Sequence, residues 1–233
     1  MQGQRQDGRD RVGEAHRRAD REYLALLVLL LLGFVLQSTS VLHGWGIVVS
    51  DFVITLSTAA VFVVLFRHEP VGRALALTLG AAALLAHWAQ HAMPQTGARY
   101  LSIADHGLLA LFLACALYVI LRDLFRRRRT GETNIFGALT GYLLAAAAFS
   151  HLLIVAYLVA PGSFSVAQEL VPHMAKAHAL NATFLYYSLT QLLTIGYSDI
   201  TTLTAPATTL CALESLFGVF YLAVVVSQFV AQA

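Results

Sequence analysis

The sequence predicts an all-α membrane protein of six transmembrane helices, with a shorter re-entrant helix and a non-helical loop set before the last of them. Three observations carry this expectation. The 233 residues are 58% hydrophobic and only 12% charged, which is more apolar surface than a soluble domain can bury and too little charge to solvate it. Six stretches, 23–42, 45–66, 71–92, 106–125, 135–160 and 208–231, approach the roughly 20 apolar residues a helix needs to cross about 30 Å of hydrocarbon. If those spans alternate in direction, every basic residue except Arg99 and Lys176 falls on one side, which makes that side cytoplasmic and puts both termini there.

Residues 1–22 mix Arg with Asp and Glu and read as a charged cytoplasmic tail, lying on the membrane surface or disordered. The first span ends in Gln37-Ser38-Thr39-Ser40 without a small-x-small cleavage pattern, so it is expected to be retained and not a cleaved signal peptide. The second span holds Asp51, the third holds His87 and His91 one helical turn apart, and the fourth opens on Asp105-His106. Histidines at i and i+4 share a helix face, and with a carboxylate they make a weak candidate site for a transition metal or a proton sensor. Satisfied polar packing is the simpler expectation, and no transition metal is expected. His151 is isolated in the fifth span, and His173 and His178 sit in the following loop. Cys115 and Cys211 each lie in apolar runs and are expected to be packing residues without a disulfide.

The run Arg126-Arg127-Arg128-Arg129 divides the chain into a four-helix membrane domain, 23–129, and a second domain, 130–233. It reads as a positive-inside anchor, with contact to anionic lipid as the functional alternative. In the second domain the outer helix is expected at 135–160 and the inner helix at 208–231. Between them, 181–193 is apolar and aromatic but too short to cross a bilayer.

The stretch after that short helix, Thr194-Ile195-Gly196-Tyr197-Ser198-Asp199, is the informative one. Non-helical backbone at membrane depth is tolerated only where protein buries it or where it lines a water-filled path. Glycine at 196 permits a backbone in which successive carbonyls turn one way, and rings of such carbonyls from four subunits can replace a potassium ion's hydration shell. The C-terminal end of the preceding helix, near Leu193, adds partial negative charge that favours a cation. Ile195 and Tyr197 are expected to point away from the axis as a packing cuff.

These residues resemble the selectivity filter of the potassium-channel superfamily, which reads Thr-Val-Gly-Tyr-Gly followed by Asp. The likeness covers about 135–233 and extends to an aromatic pore helix, to Gly218 at the family's inner-helix hinge, and to runs beginning at Ala138, Pro161 and Leu213 shared with bacterial ion-channel proteins. It implies a homotetrameric potassium channel of the bacterial inner membrane, with K+ as the permeant ion and no other cofactor. It further implies filter residues Thr194, Ile195, Gly196, Tyr197 and Ser198. Asp199, bonded to Tyr187, forms the outer mouth; Thr190 and Glu214 support the filter from behind; Gly218 is the gating hinge.

Ser198 departs from the family, which has a second glycine there. A serine forced into that backbone conformation costs about 1 kcal/mol or more, so a widened, non-selective cation pore is the alternative. The fourth span resembles a voltage sensor without its arginines, since none precedes Arg122, and steep voltage sensing is not expected. Because the sixth span runs almost to Ala233, no cytoplasmic ligand-binding domain is expected to follow it. A membrane metal or haem protein using His87, His91, His106 and His151, and a non-conducting accessory subunit, are further alternatives. The Ser, His and Asp residues form no hydrolase or transferase pattern, no glycine loop for phosphate is present, and no basic, aromatic surface for nucleic acid is evident, so the chain is expected to be non-enzymatic.

Overall fold

A computed structural model describes residues 21–37, 52–61, 70–89, 95–126, 132–168 and 177–230. Seven helices and two short strands lie among them: α1 (21–37), α2 (Phe52–Val61), α3 (Pro70–Ala89), α4 (Gln95–Arg126), α5 (Glu132–Val159), β1 (Phe164–Val166), α6 (Ala177–Leu192), β2 (Ile200–Thr202) and α7 (Ala205–Val230).

Three of these helices are long and apolar enough to cross a membrane: α4 over Arg99–Phe125, α5 over Ile135–Val159 and α7 over Ala205–Val225. Shorter apolar stretches occupy Phe52–Val61 and Thr78–Ala89. Helix α4 begins at Gln95, well before the expected start at His106, because its first turns are polar and invisible to hydropathy although they continue the helix. Helix α3 opens on Pro70, where the missing N–H has no intrahelical acceptor to lose. Helix α5 stops ahead of Pro161-Gly162, and Arg99 donates to the carbonyls of Leu158 at 2.9 Å and Val159 at 3.3 Å, satisfying acceptors that the helix end leaves open.

The core is continuous through α5. One cluster joins Tyr23, Leu26 and Leu30 of α1 to Phe112 and Ala116 of α4 and Leu144 of α5. A second joins Leu117 of α4, Ala145 and Ala146 of α5, Leu192 of α6, and Tyr221 and Val225 of α7. Small residues on α5 let its neighbours approach closely, the usual device where lipid supplies no hydrophobic drive. Tyr23 Oη donates to Asp123 at 2.8 Å, and Tyr221 Oη donates to the Ala138 carbonyl at 2.6 Å. The starts of α1 and α5, the end of α4 and the late turns of α7 therefore share one end of the bundle. The Arg99 contacts and the β1–β2 pair mark the other.

Helix α7 buries a narrow stripe, Ala207, Cys211, Glu214, Gly218, Tyr221 and Val225, at alternating spacings of four and three. Its remaining faces leave Leu213, Leu216, Val219, Phe220 and Leu222 about half exposed in a single chain.

Candidate functional site

Helix α6 is wedged between α5 and α7, and its aromatic residues explain why it stays there. Phe184 is fully buried, with ring centroids 5.6 Å from Tyr157, 5.3 Å from Phe164 and 6.5 Å from Tyr187. Phe164 comes from β1, which pairs antiparallel with β2 in the register Phe164 to Thr202 and Val166 to Ile200. The Ala167 N–H donates to the Asp199 carbonyl and the Leu203 N–H to the Ser163 carbonyl, each at 2.8 Å. The segment after α5 thus clamps the segment after residues 194–199. Strands of three residues leave no periodicity to read, and this clamp was not expected from the sequence. The Pro161-Gly162 turn that starts it was its only visible sign.

The C-terminus of α6 closes in a Schellman motif. Ile195 N–H donates to the Thr190 carbonyl at 2.8 Å and Thr194 N–H to the Gln191 carbonyl at 2.9 Å. The residue between those bonds must be left-handed, a place usually given to glycine, and Thr194 takes it with φ of 56°. Leu192 and Gln191 offer further acceptors, met by Tyr142 Oη at 2.9 Å and Ser215 Oγ at 3.0 Å.

Beyond that cap, φ alternates in sign. Thr194, Gly196 and Ser198 have φ of 56°, 59° and 64°, while Ile195 and Tyr197 between them do not have positive φ. Residues of positive φ alternating with residues that lack it take this stretch out of both helix and strand. A β-branched threonine and a serine held left-handed are costly, and both sit in this stretch. Ser198 takes the conformation that glycine would supply, and its Oγ lies 3.5 Å from the Gly196 carbonyl.

Residues 193–198 are exposed on the chain's surface. Ile195 and Tyr197, expected to pack as a cuff, are 49% and 63% exposed within one chain. Tyr197 stacks on Tyr186, with centroids 6.3 Å apart and planes at 8°. The Tyr186 phenol lies near the Asp199 carboxylate. The expected partner, Tyr187, instead lies 3.5 Å from Cys211 Sγ. Asp199 Oδ1 also accepts the Ile200 N–H at 3.1 Å, and Thr190 Oγ1 donates to the Tyr187 carbonyl at 2.7 Å inside α6.

Glu214 is fully buried behind the loop, hydrogen-bonded through Oε1 to Ser188 of α6. Gly218, one turn further along α7, abuts the end of α6: a Cβ there would collide with the Leu192 carbonyl oxygen and lie 3.0 Å from its carbon.

His87, His106 and His151 make two buried contacts. His87 Nδ1 lies 3.2 Å from Asp105 Oδ2, bridging α3 and α4. His106 and His151 place their Nδ1 atoms 2.9 Å apart with stacked rings, joining α4 to α5. The sequence groups His106 and His151 only within the metal or haem alternative and does not pair them directly, since His151 stands alone in its own helix. Among the described residues no three His, Cys, Asp or Glu side chains converge as metal ligands. Asp51, His91, Arg127, Arg128 and Arg129 lie outside the described residues, as do residues 1–20 and His173.

The chain matches no protein-family model, no curated protein and no solved structure.

Proposed function

We propose that this chain is one subunit of a homotetrameric, potassium-selective channel of the cell membrane, with six spans and both termini cytoplasmic. The carrying observation is the alternation of φ along Thr194-Ile195-Gly196-Tyr197-Ser198. A backbone that aligns its carbonyls on one side is what a dehydrated cation requires of its pore; Thr194 closes the cap of α6, while the left-handed Ser198 lies beyond that cap. Helix α6 acts as the pore helix. Its C-terminal dipole end leads directly into the loop, where it favours positive charge.

One loop supplies only part of a coordination cage, so four copies related by rotation are needed. The exposed faces of α7 and the exposed Ile195 and Tyr197 become subunit contacts in that assembly, and the cuff forms between chains. The first four helices serve as a packing collar without voltage sensing. Gly218 is the inner-helix bend, and the basic run Arg126 to Arg129 anchors the cytoplasmic face, with contact to anionic lipid as the alternative role. K+ is the only ligand proposed, and no catalytic role is assigned.

A non-selective monovalent cation pore is the second reading, and Ser198 is the observation that favours it. Left-handed backbone at a residue with a side chain costs about 1–2 kcal/mol, which a wider filter relieves. Barium-sensitive rubidium uptake into liposomes holding the purified protein tests the proposal: uptake driven by a potassium gradient supports it, and liposomes indistinguishable from protein-free ones overturn it.

A further inference from the structure

Ser188 has one hydroxyl hydrogen and two oxygens that call for it. Its Oγ lies 2.7 Å from the Ala146 carbonyl of α5 and also contacts Oε1 of Glu214 on α7. A carbonyl can only accept. Were Glu214 a carboxylate, it too could only accept, and one of the two contacts would set lone pair against lone pair. Both become hydrogen bonds when Glu214 carries the second hydrogen: the acid O–H donates to Ser188 Oγ, and Ser188 donates to Ala146.

Two further observations agree. Glu214 is fully buried, and its Oε2 has no hydrogen-bond partner among the described residues, a costly state for half of an anion and a tolerable one for the carbonyl oxygen of an acid. Among the described residues, the ionisable groups near it are Tyr142 on α5 and Tyr187 on α6, with Cys211 on α7 itself. None of them brings a positive charge that would hold a carboxylate.

We infer that Glu214 is a carboxylic acid at neutral pH, and that its proton closes a hydrogen-bonded chain, Glu214 to Ser188 to Ala146, that ties α7, α6 and α5 together behind the 194–198 loop. Glu214 is thus a positioning residue, touching no ion. Its significance for conduction rests on the channel reading, but its protonation does not. Ser188 lies in the α6 turns that lead to Thr194, and Glu214 stands one turn before Gly218, where α7 meets the end of α6. Loss of the proton leaves two acceptors competing for the one Ser188 hydrogen and loosens the loop from behind.

Infrared difference spectroscopy of the full-length protein in lipid tests this directly. At about pH 7, where an ordinary glutamate is ionised, the wild type minus Glu214→Gln difference shows the carbonyl stretch of a protonated carboxylic acid. Ser188→Ala, which keeps Glu214 but removes its partner, shifts that same band, so the assignment survives even if the glutamine variant folds poorly. Glu214→Gln, whose amide still donates to Ser188, is expected to keep the wild-type thermal stability, whereas Ser188→Ala lowers it. A Glu214 signal found only as carboxylate at neutral pH overturns the inference. An acid band in a protein that passes no ions upholds the inference and counts against the channel reading alone.

Discussion

Gly218 of α7 lies directly against the Leu192 carbonyl at the end of α6, so that a single added methyl would overlap the oxygen and come within 3.2 Å of the Leu192 Cα. Absence of a side chain there is a requirement of the close approach of α7 to α6. Gly218→Ala is therefore expected to destabilise the fold by about 1–3 kcal/mol through overpacking, measurable as an earlier thermal transition in detergent. Unchanged stability with altered opening would mean that Gly218 acts as a hinge only.

Ser198 holds a left-handed backbone with φ of 64°. Ser198→Gly removes the Cβ that makes this conformation costly, and is expected to stabilise each subunit by about 1 kcal/mol while raising the preference for potassium over sodium. Permeability ratios and melting temperature of the two proteins, compared side by side, decide this. A variant no more selective than the parent would show that Ser198 does not limit selectivity.

Tyr142 links α5 to the cap of α6 by donating to the Leu192 carbonyl at 2.9 Å. Tyr142→Phe keeps the ring, whose centroid lies 5.4 Å from that of Tyr221, and deletes only the donor. The expected loss is about 1–3 kcal/mol, since the carbonyl is left without its partner. The same substitution at Tyr118, which is 65% exposed, is expected to change stability little, and the two melting curves together isolate the bond.

Phe164 anchors the short strand pair, with its ring edge-on to both Phe184 and Tyr187. Phe164→Ala is expected to cost about 3–5 kcal/mol and to free the segment after residue 199. Faster amide exchange at Ala167 and Leu203, which donate across the clamp, is the local signature. Exchange unchanged at both positions would show that the clamp holds without the aromatic cluster.

Much of the site was legible because its letters encode conformation. The loop 194–199 has a glycine where backbone freedom is needed, and it follows an apolar stretch too short to span. The long apolar runs that became α4, α5 and α7 declare themselves by composition. What stayed hidden depends on contacts between distant residues or on helix phase. His106 and His151 are 45 positions apart, and neither signals the other. Tyr186 and Tyr187 are neighbours in sequence but about 100° apart around α6, and that rotation turns Tyr186 toward Asp199 and Tyr187 toward Cys211. Nothing in the sequence signals the contacts of Ser188 with Ala146 and Glu214, which only the fold brings together. The departure from glycine at 198 was visible, but not that a threonine at 194 would take a left-handed cap as well.

The most direct measurement is the reversal potential of the purified protein in planar bilayers or liposomes under opposed potassium and sodium gradients. A potassium-selective pore gives a barium-sensitive current that reverses near the potassium equilibrium potential. Reversal near zero under the same gradients, or no barium-sensitive current at all, would contradict a potassium-selective pore built from residues 194–198.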